Sequence, residues 1–167
     1  VMRERSRILS DNVAIWGDPC VMVTSVDPAA FARYKGFFDI IVADVPCSGE
    51  GMFRKDPDAQ RDWSRSVVEL CSSRQKRILS SVWPALRKGG MLVYSTCTFE
   101  KSENDGIVSW ACAALGAEIL PAEGFEGVIK TPAGYLLVPG FSLLSEFTNC
   151  IGEMNFDSCC DTGSPAH

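Results

Sequence analysis

The chain has 167 residues, of which 46% are hydrophobic and 22% are charged, and its formal net charge is −5. This composition is too apolar for an intrinsically disordered protein, and the length fits one globular domain. No apolar run approaches the roughly 20 residues that a membrane-spanning helix requires, and the N-terminal residues do not resemble a signal peptide. We therefore expect a soluble, cytoplasmic protein that does not bind membranes.

The charges are distributed unevenly along the chain. Residues 1–88 carry 14 basic and 11 acidic side chains, whereas residues 89–167 carry 2 basic and 10 acidic ones. A polyanion would prefer the first half, although ordinary solvated surface charge explains these numbers at least as well.

Hydrophobic periodicity and turn residues predict helices that alternate with strands. The predicted helices, in chain order, are 3–16, 28–34, 66–88 and 105–115. The predicted strands are 21–24, 38–43, 91–96, 118–120 and 135–138. Ser64 or Ser66 is the expected cap of the longest helix, and residues 102–105 resemble a capping box. The strand at 38–43 is continuously apolar, which is typical of a strand buried on both faces. The alternation indicates an α/β fold with a parallel sheet and right-handed crossovers.

The eight cysteines do not form a metal-binding or protease pattern. No Cys-x-x-Cys pair occurs, and the single histidine is the last residue, His167. A structural zinc site needs closely spaced Cys or His ligands, and a thiol protease needs a histidine base, so we expect neither, and no bound metal. If a cysteine of this chain is a nucleophile, a group other than histidine must activate it.

Two cysteines follow predicted strands directly. Cys47 lies in the loop after the strand at 38–43, and Cys97 comes at the end of the strand at 91–96. In parallel sheets ligands bind beyond the carboxyl ends of the strands, and one crossover separates these two. We therefore expect the two thiols to face one crevice. The alternative is that both are small buried hydrophobic residues, which is the most common environment of a free cysteine.

The sequences of these two loops resemble a known family. Residues 44–57 read Asp-Val-Pro-Cys-Ser-Gly-Glu-Gly-Met-Phe-Arg-Lys-Asp-Pro, and residues 94–99 read Tyr-Ser-Thr-Cys-Thr-Phe, followed by Glu103 and Asn104. Both segments resemble the active-site motifs of the RNA (cytosine-5)-methyltransferases, the Nol/Nop/Sun-like family. The long first motif is most similar to the bacterial branch that methylates small-subunit ribosomal RNA. The resemblance extends over about residues 1 to 139.

This resemblance implies a Rossmann-like methyltransferase fold, S-adenosylmethionine as cofactor and ribosomal RNA as partner. It implies that Cys97 is the nucleophile that adds to carbon 6 of cytosine, so that carbon 5 can accept a methyl group. Cys47 would help to release the product, and Asp44 would hydrogen-bond the cytosine edge and lie beside the cofactor.

The resemblance also assigns residues that bind the cofactor and the RNA. Asp27, Asp44 and Pro46 would contact S-adenosylmethionine. The alternative for Asp27 is a plain helix cap, and the two roles can coexist. Arg54 and Lys55 would hold RNA phosphates near the reactive loop. The alternative for these two residues is that they are solvated loop charges paired with neighbouring aspartates.

Part of the family pattern does not occur in this sequence. The family's glycine-rich cofactor loop, Cys-x-x-Pro-Gly-Gly-Lys, and the acidic residue after its second strand are both lacking. We therefore expect a mostly parallel sheet whose first strands are missing, in a fragment that does not bind S-adenosylmethionine tightly. On this hypothesis residues 1–140 are the C-terminal part of a catalytic domain, and residues 141–167 are a divergent, poorly ordered tail.

Two alternatives to this enzyme remain open. One is a non-catalytic remnant or RNA-binding scaffold that lacks the cofactor-binding half. The other is a methyltransferase of the same fold that acts on another nucleic acid or on protein. The paired thiols argue against transfer to an amine, which needs no thiol.

Overall fold

A computed structural model describes residues 3–53, 59–120, 128–131 and 133–137 of the chain. Its α-helices are α1 (Arg3–Trp16), α2 (Ala59–Asp62), α3 (Arg65–Val82) and α4 (Asp105–Leu115). Its strands are β1 (Phe38–Asp44), β2 (Leu86–Ser95), β3 (Val128–Lys130) and β4 (Tyr135–Leu137). Short 3₁₀ helices cover Pro28–Arg33, Glu50–Met52, Trp83–Ala85 and Lys101–Glu103.

Strands β1 and β2 are parallel neighbours, and α3 lies between them in the chain. Their register runs from Ile40 opposite Met91 to Asp44 opposite Ser95. Because the two strands end at the same register position, the loops that follow them leave the sheet side by side. This parallel pair confirms the predicted α/β class.

The hydrophobic core lies on one face of the β1–β2 pair. Ala43 and Val45 pack there with Leu79 of α3 and Ile107 of α4, which are 1% and 0% exposed. Burial of a side chain of this size stabilises the fold by about 2 kcal/mol, so this face fixes the position of both helices. Val42 points away from this core and is 67% exposed, so the prediction that the first strand is buried on both faces is wrong for the described residues.

Helix α3 begins where the sequence indicated and ends earlier than predicted. The side chain of Ser64 accepts a hydrogen bond from the backbone N–H of Val67 and caps the helix, as one of the two expected serines. The helix ends at Val82, and β2 begins at Leu86, five residues before the predicted start. Pro84 in the intervening 3₁₀ turn has no backbone N–H to continue the helix.

Two predicted strands are not formed. Residues 21–24 and 118–120 have no strand hydrogen bonds, whereas residues 128–130 form β3, which pairs antiparallel with β4. A strand exists only when another strand pairs with it, and within the described residues the second edge of β1 carries none. A short apolar run is therefore not sufficient to make a strand.

The chain divides into two compact units, Val1–Ile119 and Leu120–His167. The β1–β2 pair, all four α-helices and the loops described next belong to the first unit, and the β3–β4 hairpin belongs to the second. The predicted tail at 141–167 lies outside the described residues, so its order stays a prediction.

Candidate active site

The two cysteines that follow β1 and β2 are in contact. The Sγ atoms of Cys47 and Cys97 lie 3.1 Å apart, which is within hydrogen-bond distance for sulfur and about 1 Å longer than a disulfide bond. The parallel register of the two strands brings these loops together over 50 residues of sequence. The structure thus confirms that the two thiols share one crevice.

The two sulfurs differ in their environment. Burial, followed by the hydrogen bond with Cys97, raises the pKa of Cys47 from 9.0 to about 12, against smaller opposing effects of backbone hydrogen bonds from Cys97 and Gly49. Cys47 is therefore a protonated thiol at neutral pH, whereas Cys97 is solvent-exposed. The interpretation of both residues as buried hydrophobic side chains is wrong for Cys97.

Hydrogen bonds join the loop of Cys47 to the loop of Cys97. The hydroxyl of Thr98 and the backbone N–H of Phe99 donate to one oxygen of Glu50, at 3.2 and 2.9 Å. Ser48 Oγ lies 3.0 Å from Thr98 Oγ1. Since the Thr98 proton is directed to the Glu50 carboxylate, the Ser48 hydroxyl is the donor in that contact. The loops therefore form one hydrogen-bonded unit around the thiols.

Glu103 is a fully buried carboxylate beneath the Cys47 loop, with 0% of the residue exposed. It accepts the backbone N–H of Ser48 at 3.1 Å and the side-chain amide of Gln75 at 2.8 Å. The same amide nitrogen donates to the carbonyl oxygen of Pro46 at 3.0 Å. Glu103 and Gln75 thus hold the backbone on both sides of Cys47.

Asn104 holds the Cys97 loop. Its side chain accepts a hydrogen bond from the hydroxyl of Thr96 at 2.7 Å and donates to the carbonyl oxygens of Thr98 and Glu100 at 2.9 and 3.0 Å. Since this side chain is engaged with the loop, it makes no capping hydrogen bond to α4. The predicted capping box at 102–105 is wrong, because α4 has Asn104 rather than Ser102 at its N-cap position and the Ser102 hydroxyl donates to Glu100 instead.

Glu103 and Asn104 follow the second motif in the sequence, which predicted no role for either residue. The sequence did contain a signal for their role, because two polar residues follow closely after Cys97. The same two residues also fit the pattern of a helix start, and from the sequence alone we interpret them as such.

The three residues predicted to contact a cofactor line one cavity of about 590 Å³. Asp27 lies in its lining together with Asp44 and Pro46, and apolar side chains such as Phe31 and Ile78 complete it. A cavity of this volume is in the range of small-molecule sites.

The two aspartates of this cavity are held locally. Asp44 accepts a hydrogen bond from Ser95 Oγ at 3.0 Å. The side chain of Asp27 accepts a hydrogen bond from the backbone N–H of Ala29 at 2.9 Å and caps the 3₁₀ helix, as predicted. The same residue also lines the cavity, so the two roles are compatible.

Some of the predicted site residues lie outside the part of the chain that the structure describes. Arg54 and Lys55 lie outside the described residues, so their contact with RNA stays a prediction. Within the described ranges, no group of three or more His, Cys, Asp or Glu side chains could hold a metal ion. No helix in those ranges is both long and apolar enough to cross a membrane.

The chain is similar to known methyltransferases. A family model described as 16S rRNA methyltransferase RsmB/F matches residues 1–127. Ribosomal RNA small subunit methyltransferase F of Escherichia coli O157:H7 is 41% identical over 140 residues, which cover 80% of this chain and 29% of that protein. The chain therefore spans less than a third of the length of this curated relative.

Two solved structures from Pyrococcus horikoshii have the same fold. A methyltransferase homolog protein superimposes with a TM-score of 0.65 at 28% identity, over 80% of this chain and 41% of that one. NSun6, solved with SFG, superimposes with a TM-score of 0.60 at 27% identity, over 67% of this chain and 28% of that one. With the parallel β1–β2 pair, these likenesses confirm the expected Rossmann-like methyltransferase fold.

Proposed function

Since the chain belongs to the 16S rRNA methyltransferase RsmB/F family, we propose that it transfers a methyl group from S-adenosylmethionine to carbon 5 of a cytosine in small-subunit ribosomal RNA. The contact of 3.1 Å between Cys47 Sγ and Cys97 Sγ carries this proposal. Carbon 5 of cytosine is a weak nucleophile, and a thiolate that adds at carbon 6 makes it reactive. Transfer to a nitrogen or to a ribose hydroxyl requires no thiol.

Cys97 is the proposed nucleophile because its sulfur is exposed to a substrate. The protonated Cys47 thiol lies 3.1 Å from this sulfur, within hydrogen-bond distance. The thiolate forms a bond to carbon 6, and the electron pair of the carbon 5–carbon 6 double bond becomes available at carbon 5. Carbon 5 then takes the methyl group.

Release of the product reverses the covalent step. Carbon 5 loses its proton to water, the double bond to carbon 6 forms again, and the electron pair of the carbon–sulfur bond returns to Cys97. The Cys47 thiol lies beside this sulfur and stabilises it as it leaves, by the same hydrogen bond. Asp44, which also borders the loop, is the proposed partner of the cytosine edge.

The cavity at the edge of β1 fits the proposed cofactor. Apolar walls with a carboxylate at Asp27 and another at Asp44 suit a ligand with an adenine ring, polar ribose hydroxyls and a positive sulfonium. When bound, S-adenosylmethionine supplies an activated methyl group. Pro46 borders the same cavity and precedes the reactive Cys47 directly, which supports delivery of the methyl group to a base held at Cys97. SFG, an S-adenosylmethionine analogue, was present in the NSun6 structure.

The substrate is proposed from the relatives. The match to ribosomal RNA small subunit methyltransferase F supports small-subunit ribosomal RNA, and a base must leave its stack to reach the crevice. We further propose that Arg54 and Lys55 bind phosphates of this RNA, as expected from their position next to the reactive loop.

Methylation of small-subunit ribosomal RNA by the full-length protein tests this proposal. With labelled S-adenosylmethionine, we expect one 5-methylcytosine in the RNA, and we expect none with Cys97→Ala. Cys112→Ala is the matched control, since this cysteine lies in α4 away from the crevice loops. Methylation of a different atom, or full methylation by Cys97→Ala, would contradict the proposal. RNA binding without any methylation would favour the scaffold interpretation instead.

A further inference from the structure

The strongest unassigned feature of this structure is the buried carboxylate of Glu103. Burial of an ionised carboxylate is costly unless hydrogen bonds compensate for the lost water. In the described part of the chain its oxygens form no salt bridge, and both lie within hydrogen-bond distance of the Ser48 N–H, at 3.3 and 3.1 Å. The second of them also accepts from Gln75. The carboxylate therefore contacts the segment around Cys47 directly through Ser48 and indirectly through Gln75, which also donates to Pro46.

The backbone of Glu103 is itself fixed. Its carbonyl oxygen accepts the hydroxyl of Tyr94 at 2.6 Å. Burial, followed by the charge of Glu103, raises the pKa of Tyr94, so this hydroxyl remains a donor over the whole neutral range. Since Tyr94 belongs to β2, the carboxylate is anchored to the sheet rather than to a loop.

Gln75 completes the arrangement from α3. Its amide nitrogen donates both to Glu103 and to the carbonyl oxygen of Pro46, and its own Oε1 is buried with no hydrogen-bond partner among the described residues. An unpaired buried acceptor costs about 1–3 kcal/mol. The orientation of the Gln75 amide therefore favours the two hydrogen bonds to Pro46 and Glu103, although it leaves Oε1 without a hydrogen-bond donor among the described residues.

We infer that Glu103, together with Gln75, is a positioning residue for Cys47. The pair fixes the carbonyl before Cys47 and the N–H after it, and so keeps the thiol against Cys97 during product release. This inference rests on the proposed function, because it concerns the release step of that reaction. Cys97 is held by different groups, Asn104 and Glu50, so loss of Glu103 affects release more than attack.

The test compares Glu103→Gln with wild type in the full-length protein, with unmodified substrate RNA and S-adenosylmethionine. The new amide can keep one oxygen where Oε2 accepts from Ser48 and Gln75, but it loses the negative charge and places an NH2 donor where Oε1 lies 3.3 Å from the Ser48 nitrogen. We expect turnover to fall by about 10- to 100-fold, because the thiol is misplaced by a fraction of an ångström. We also expect a covalent protein–RNA adduct, resistant to denaturation, to accumulate on the variant and to be nearly absent from wild type.

A residue that only stabilised the fold would not give this result, because its loss would lower adduct formation and turnover together. Glu69→Gln on the exposed surface of α3 is the matched control, and we expect wild-type turnover with no adduct. Should Glu103→Gln fail to fold, Gln75→Met provides the same test, since it removes only the donor to Pro46 and Glu103.

The outcomes separate this inference from the proposed function. If Cys47→Ala accumulates the adduct but Glu103→Gln and Gln75→Met do not, the inference is wrong and the proposed reaction stands. If no variant forms an adduct that depends on Cys97, the proposed function itself fails.

Discussion

The backbone N–H of Gly51 donates to the carbonyl oxygen of Cys97 at 2.8 Å, and a β-carbon at position 51 would lie 2.5 Å from that oxygen. No side chain can occupy this position without a shift of the backbone that carries the proposed nucleophile. The close approach explains why glycine is needed in the loop after β1. The addition of a single methyl group at position 51 would therefore disturb the contact between the two loops.

Gly51→Ala should therefore weaken both activity and stability. We expect the free energy of unfolding to fall by about 1–3 kcal/mol, as for other overpacked sites, and adduct formation at Cys97 to fall with it. Urea unfolding measures the change in stability. Adduct formation is measured with RNA that carries 5-fluorocytosine, which stays bound to the nucleophile because the fluorine at carbon 5 cannot leave as a proton does. Gly106→Ala in α4 is the control, since its nearest neighbour would be at an ordinary contact distance of 3.4 Å. If Gly51→Ala and Gly106→Ala had the same free energy of unfolding, the expected steric conflict between position 51 and the Cys97 carbonyl would not destabilise the fold, and this prediction would be wrong.

Cys47 gives the stability of the protein a specific dependence on pH. Burial, followed by the hydrogen bond with Cys97, raises its pKa from 9.0 to about 12, so the folded protein binds this proton more tightly than the unfolded chain does. The stabilisation is thus complete below about pH 9 and is lost as the pH rises toward 12.

We expect Cys47→Ser to lose less unfolding free energy than wild type between about pH 9 and pH 11, because a hydroxyl does not titrate there. The pKa values of Cys71 and Tyr94 are also raised, but both groups are present in the two proteins, and burial is the largest cause of each shift. Denaturant titrations at several pH values provide the measurement. Parallel stability curves would mean that Cys47 keeps an ordinary pKa.

Asp27 should combine a capping role with a cofactor role, and two substitutions separate them. Asp27→Asn keeps an oxygen that can accept from the N–H of Ala29 but loses the negative charge, whereas Asp27→Ala loses both. We expect Asp27→Ala to cost about 1 kcal/mol of stability and Asp27→Asn much less. Both should raise the KM for S-adenosylmethionine. An unchanged KM in both variants would leave Asp27 as a helix cap alone.

Asn104 should matter for attack rather than release, because its side chain holds the Cys97 loop at Thr96, Thr98 and Glu100. Asn104→Ala removes all three hydrogen bonds, and we expect the rate of trapping by 5-fluorocytosine RNA to fall by about 10- to 100-fold. Asn104→Asp keeps the acceptor for Thr96 and loses the two donors, so its rate should lie between those of wild type and Asn104→Ala. A wild-type trapping rate in Asn104→Ala would contradict this role.

Much of this site could be predicted from the sequence, because its residues are close in sequence to strand ends. Cys47 and Cys97 each follow an apolar run, and the parallel arrangement of α/β folds is enough to bring such positions together. Their family resemblance is confirmed by the match over residues 1–127. The roles of Asp44, Pro46 and Arg54 stay predictions.

The supporting residues could not be predicted, because their partners are distant in the chain. Glu103 contacts Ser48 across 55 residues and Gln75 across 28, and local patterns contain no information about either contact. Gln75 lies on the inner face of an amphipathic helix, where an apolar residue is the usual expectation. The missed strand β3 and the unformed strand at 21–24 have a related cause, since strands depend on pairing rather than on local sequence.

The central claim is that Cys97 forms the bond to cytosine while Cys47 assists its release. The most direct measurement incubates the full-length protein with S-adenosylmethionine and RNA that carries 5-fluorocytosine, in which fluorine cannot leave as the proton does, and then identifies the modified peptide by mass spectrometry. We predict that the RNA is attached to the peptide that contains Cys97 and that Cys97→Ala forms no adduct. We also predict that Cys47→Ala forms a lasting covalent adduct even with RNA that carries ordinary cytosine. Attachment to Cys47, or an adduct that persists in Cys97→Ala, would contradict the account.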